Sequence, residues 1–158
     1  SGIKGAIIYT VIYVFMNIAI FSILLSIKIN NIYVENIKDL SGLSKKYPII
    51  SICIALIMLS MAGIPPLGGF FAKFYVFTAV LEQKMYALAI IGLLTTVISA
   101  FYYLKIIKTI YFDDSVITFD APKNKFAQLS ILISCITLLT FFLYPSVLNN
   151  IAESLFIY

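Results

Sequence analysis

The chain has 158 residues, of which 62% are hydrophobic and 11% charged, with a mean hydropathy of +1.06. That composition lies outside soluble usage and makes lipid the expected solvent. The net charge of +4 comes from lysine alone, His and Trp are absent, and there are two cysteines; a His-built metal or haem site is excluded.

Four stretches approach or pass the roughly 20 apolar residues that a helical span needs, at 5–27, 49–83, 85–112 and 128–148. The fold class read from them is an all-α, polytopic transmembrane bundle within a single membrane domain. The chain starts at Ser1 and enters its first apolar stretch without the basic, apolar and small-residue order of a signal peptide. It reads as part of a longer polypeptide, without a leader. In this first span Thr10, Tyr13 and Asn17 recur at helical spacing.

The connector at 28–48 is polar, with scattered Ile and Leu that suggest a short interfacial helix near 34–40. The second span, 49–83, is interrupted at 63–69 by Gly63, Pro65, Pro66, Gly68 and Gly69. Two prolines remove two backbone donors, and the glycines weaken the helix further, so it has to open. Non-helical backbone survives in a bilayer only where protein or a water-filled cavity covers it. The break therefore predicts a buried polar site between two half-helices.

Lys73 lies about one turn into the second half-helix, and helical side chains lean toward their own N-terminus. Its ammonium is expected to point back at the break. Carbonyls ending the first half-helix favour the charge there, whereas desolvation and the positive end of the second half-helix oppose it. Snorkelling is disfavoured because about 15 Å of helix separates Lys73 from the polar run Glu82, Gln83 and Lys84. Pairing with a carboxylate as a folding element, and a simple structural kink, are the competing readings.

In the third span Thr95, Ser99, Tyr102 and Tyr103 form a polar stripe. With Ser60 beside the break and Thr10, Tyr13 and Asn17 of the first span, they are candidates to hold water near Lys73, or to make interhelical hydrogen bonds that hold the bundle together. Lys105 and Lys108 near the end of this span read as interfacial anchors, with Lys105 also a candidate for proton exit or entry. The connector at 113–127 reads as a surface loop. Cys53 and Cys135 fall inside spans and read as small hydrophobes.

With a single crossing at 49–83, one side of the membrane carries Lys28, Lys38, Lys45, Lys46, Lys105, Lys108, Lys123 and Lys125, and the other Lys4 and Lys84. The positive-inside rule then places the connectors 28–48 and 113–127 in the cytoplasm and Lys73 within the membrane. The same rule accounts for the basic connectors without nucleic acid as a partner.

The run at 60–77 containing Gly63-Ile64-Pro65-Pro66-Leu67-Gly68-Gly69-Phe70-Phe71-Ala72-Lys73-Phe74-Tyr75, with 39–43 and Pro48 before it and 102–105 and Tyr111-Phe112 after it, resembles the subunit N family of bacterial NADH-quinone oxidoreductase. That enzyme is respiratory complex I, and the mitochondrial counterpart is NADH dehydrogenase subunit 2. The resemblance covers nearly the whole chain and corresponds to the C-terminal third of such a subunit. It implies an antiporter-like inverted-repeat fold, of which this chain supplies the last helices, including one discontinuous helix. It also implies that Lys73 is one station of a proton relay along the membrane midplane, in a proton-translocating subunit coupled to quinone reduction elsewhere.

By the same resemblance, no cofactor binds this chain: NADH, FMN, iron-sulfur clusters and quinone belong to other parts of the complex. The implied partners are other membrane subunits of complex I, especially neighbouring antiporter-like subunits, and lipid. The implied location is the bacterial inner membrane, ahead of the mitochondrial one. Two alternatives remain, a monovalent cation/proton antiporter subunit and a non-catalytic membrane scaffold subunit.

Overall fold

The computed structural model describes residues 2–114, 119, 120, 129, 131–133 and 135–137. The first helix, α1 (Gly2–Leu24), buries Gly5, Ile8, Ile12, Met16, Ala19 and Ile23 at the three- and four-residue spacing of one helical stripe. Its other face is also apolar, with Val14, Ile18 and Phe21 exposed. A helix that is apolar all round suits lipid rather than water. Thr10 and Asn17 donate back to the carbonyls of Ala6 and Tyr13 in their own helix.

The first connector is more structured than its composition suggests. Strands β1 (Lys28–Ile29) and β2 (Ile32–Tyr33) pair antiparallel around Asn30 and Asn31, which both adopt positive φ. Asparagine tolerates that conformation in two-residue hairpin turns. The expected interfacial helix at 34–40 is reduced to a single 3-10 turn, Ile37–Leu40. The Asp39 carboxylate accepts the Asn36 and Glu35 N–H groups at 2.8 and 3.3 Å and stops the turn from extending N-terminally. Helix α2 (Leu43–Lys46) follows.

The two connectors are tied to each other at one end of the bundle. Asn31 N–H donates to the Asp120 carboxylate at 2.7 Å, Lys46 donates to the Phe119 carbonyl at 2.6 Å, and Lys45 pairs with Asp114. Ser44 donates to the Ile110 carbonyl near the end of the long helix described next.

The broken span forms α3 (Pro48–Ala62) and α4 (Gly68–Glu82), and α5 (Tyr86–Phe112) follows a tight reversal. At 15 residues, each half-helix is only about 22 Å long, too short to cross a hydrocarbon core of about 30 Å. Their neighbours show how they combine. A Cβ on Gly2 would lie 3.9 Å from Ala79 Cβ, and one on Gly5 would lie 3.2 Å from the Tyr75 backbone. At its other end, Ser26 just beyond α1 shares a cavity wall with Tyr47, Pro48 and Ile50.

Helix α1 therefore runs antiparallel to α4 and then to α3. Helix α5 also runs antiparallel to both: Gly92 packs on Phe77, and Ile110 reaches Ser44 just before α3. The two half-helices stack end to end as one interrupted column against two continuous ones. Ile8, Ile12, Ile54, Ile57 and Ile110 form the interior of this arrangement. The expected fourth span at 128–148 lies largely outside the described residues; within it 129, 131–133 and 135–137 are helical, with Ile131 and Cys135 buried against the core.

Candidate functional site

The site grows from the backbone requirements of the break. Helix α3 stops because Gly63 adopts the left-handed conformation at φ +84, where a Cβ is penalised. Gly63 N–H bonds to the Ser60 carbonyl at 3.0 Å, and Ile64 N–H bonds to the Leu59 carbonyl at 3.1 Å, the two bonds of a Schellman cap. Met61 and Ala62 carbonyls are still unsatisfied by backbone. Lys73 Nζ supplies them, at 2.9 and 3.3 Å. All four terminal carbonyls of α3 thus have donors.

The start of α4 mirrors this arrangement. Ser60, fully buried in α3, offers its Oγ to the Gly69 N–H at 3.0 Å. Each half-helix is therefore capped by a side chain of the other. Gly69 permits the close approach, since a Cβ there would overlap the Ser60 carbonyl. Pro65 and Pro66 bring no N–H, and Leu67 N–H bonds to the Ile64 carbonyl at 3.2 Å. No donor within 63–67 is left without an acceptor, as low-dielectric surroundings demand. Gly68, buried at the first position of α4, completes the glycine pair.

Lys73 borders a cavity of about 240 Å³. From α1, Tyr9 and Tyr13 contribute stacked rings, with centroids 5.8 Å apart. From α5, Thr95, Thr96, Ser99 and Tyr103 contribute hydroxyls, and Met61 and Gly69 close the side at the break. Thr95 and Thr96 donate to the Gly92 carbonyl and Ser99 to that of Thr95, which leaves their oxygen lone pairs available to accept. A cavity this large and polar suits several waters.

The geometry sorts the residues expected from the sequence. Lys73, Gly69, Thr95, Ser99 and Tyr103 line the cavity, while Ser60 lies beneath it, capping Gly69. Tyr102 is exposed and outside the cavity wall, its side chain turned about 100° from that of Tyr103. Lys105 is exposed and outside the cavity wall. Thr10 and Asn17 also fall outside it, whereas Tyr9 and Thr96 were missed. The signal for Tyr9 was present four residues before Tyr13, but spacing alone does not reveal which face of α1 meets Lys73.

A family model described as NADH:quinone oxidoreductase/Mrp antiporter, transmembrane, matches residues 1–99. The chain belongs to this family. Among curated relatives, it is 54% identical over 153 residues to NADH-quinone oxidoreductase subunit N of Pelagibacter ubique, covering 97% of this chain and 32% of the relative. It is 45% identical to the subunit of the same name from Paramagnetospirillum magneticum, with 97% and 31% covered. The chain thus spans about a third of the length of these relatives. A chain of respiratory complex I from Thermus thermophilus, solved with bound aureothin, superposes with a TM-score of 0.79 at 26% identity, covering 92% of this chain and 34% of that one. As a member of this family the chain is a membrane protein with an all-α, antiporter-like fold.

Proposed function

We propose that this chain is the part of a proton-translocating subunit of NADH-quinone oxidoreductase that carries Lys73 as a protonatable relay. The observation that carries the reading is the position of the Lys73 ammonium. It caps the Met61 and Ala62 carbonyls at a helix break and borders a hydroxyl-lined cavity. A lysine on a flexible stem, with fixed acceptors on one side and room for water on the other, can exchange a proton without leaving the membrane interior. The names of the relatives supply the enzyme class, NADH-quinone oxidoreductase, and in this reading the exchange is coupled to its electron transfer.

In this reading other membrane subunits of complex I, antiporter-like neighbours above all, and lipid surround the chain in a bacterial inner membrane. NADH, FMN, iron-sulfur clusters and quinone belong to the rest of the enzyme. The connectors 28–48 and 113–127 face the cytoplasm, a placement favoured by their lysines and by the contacts that join them at one end of the bundle. Lys105, the first lysine beyond Tyr103 toward that end, is the candidate for exchange with the cytoplasm.

In the intact complex Lys73→Ala should reduce NADH-driven proton pumping to a small fraction, and Lys73→Arg should also be impaired, because guanidinium does not release its proton in the accessible pH range. Pumping at the parent rate by both variants would overturn the relay. The family description also includes Mrp antiporters, which supports a second reading as a monovalent cation/proton antiporter subunit. Sodium counter-transport by the purified complex without NADH would favour it.

A further inference from the structure

A second cavity, of about 300 Å³, lies on the other side of Lys73. Its character is different. Apart from the residues it shares with the first, its walls are Val76, Phe77, Val80, Leu88, Ala89 and Gly92, which offer water no side-chain hydrogen-bonding partner. Beyond Tyr9, Lys73 and Thr96 at its mouth, walls of this kind hold water poorly, and apolar constrictions stop conduction by dewetting. Val80 and Leu88 stand on either side of the α4 to α5 reversal, so this cavity leads from Lys73 toward that end of the bundle.

Three residues, Tyr9, Lys73 and Thr96, line both cavities. Lys73 is held back toward the break by the Met61 and Ala62 carbonyls. The Thr96 hydroxyl proton is committed to the Gly92 carbonyl at 2.9 Å. Tyr9 supplies the largest body of the three. Its ring is braced by Tyr13, nearly parallel at 11°. One turn earlier, Gly5 sits against the Tyr75 backbone, fixing this part of α1 on α4.

We infer that Tyr9 is the partition between a wet and a dry compartment that meet at Lys73, its ring preventing a continuous line of water from the hydroxyl-lined cavity to the α4 to α5 end. This rests on the reading of Lys73 as a relay. With the ring in place Lys73 exchanges protons with the polar cavity only. Passage toward the α4 to α5 end requires the ring to move and the apolar cavity to wet.

The test uses the intact complex in sealed liposomes without NADH, following decay of an imposed pH gradient at equal content of assembled complex. Tyr9→Ala, which joins the two cavities, should speed the decay several-fold, while Tyr9→Phe, which keeps the ring, should not. Should Tyr9→Ala fail to assemble, Tyr9→Leu removes the ring with less loss of packing and should leak in the same way. An assembled Tyr9→Ala or Tyr9→Leu complex as tight as the parent overturns the partition, as does a Tyr9→Phe complex that leaks as fast. NADH-driven pumping by Lys73→Met separates the two ideas. Normal pumping there sinks the relay whatever Tyr9 does, and abolished pumping beside a tight Tyr9→Ala complex sinks only the partition.

Discussion

Ser60 and Lys73 have equivalent tasks on opposite sides of the break, yet they differ in what the sequence discloses. Lys73 is legible because the lean of helical side chains aims it at the preceding turn, and its two carbonyl acceptors lie where that lean points. Ser60 reads only as a polar residue that could hold water, since its bond to Gly69 N–H crosses the break and depends on how the half-helices meet. Removing that acceptor with Ser60→Ala should cost about 1 kcal/mol, the usual value of a helix cap, visible as a lower unfolding temperature of the purified subunit or complex. Gly69→Ala should be the more damaging, because its methyl overlaps the Ser60 carbonyl and the half-helices have to separate to admit it. Equal stability of the two variants would contradict the close approach.

Among the elements, the continuous helices follow from their apolar runs and the interrupted one from its glycines and prolines. What escaped the sequence was phase and local polar competition. Along α5 the polar stripe is visible, but Tyr103 turns inward and Tyr102 outward, a choice made by contact with α1 and α4. In the first connector, Asn30 and Asn31 are a hairpin signal that the lysine-rich composition masks. Asp39 replaces the expected helix with a capped turn. Its carboxyl lies below the ordinary carboxylate range because the Asn36 backbone N–H and that of Glu35 bond to the charged form. A lowered value in the folded state means that its contribution is complete above the usual carboxylate value of about 4. It is lost as pH falls through the lower, folded value. Hydrogen exchange across 35–41, corrected for its intrinsic pH dependence, should therefore be constant from neutral pH to about 4 and accelerate below. Asp39→Asn should abolish the acceleration.

For the whole molecule, the central geometric statement is that α3 and α4 share one column, with α1 alongside both. The lysine distribution already favours a single crossing, but composition cannot show that the two pieces are collinear. The pair Gly2 and Ala79 provides a check, since their Cβ positions lie 3.9 Å apart, within the spacing a disulfide requires. Gly2→Cys with Ala79→Cys, in a chain with Cys53 and Cys135 replaced by serine, should cross-link under mild oxidation. Failure to cross-link would contradict the antiparallel register of α1 on α4. Much of α5 remains open in the described structure, Val97 and Phe101 being 68% and 65% exposed, and this apolar surface is suited to lipid or to further helices.

The crossed capping at the break makes the separation of two half-helices and the proton affinity of one lysine a single linked equilibrium. Drawing α3 away from α4 removes the Met61 and Ala62 carbonyls from the ammonium. By thermodynamic reciprocity, a change of charge on Lys73 shifts the half-helices with the same free energy. A mechanical push on either half-helix and a proton arriving through water are, at this point in the chain, interchangeable inputs.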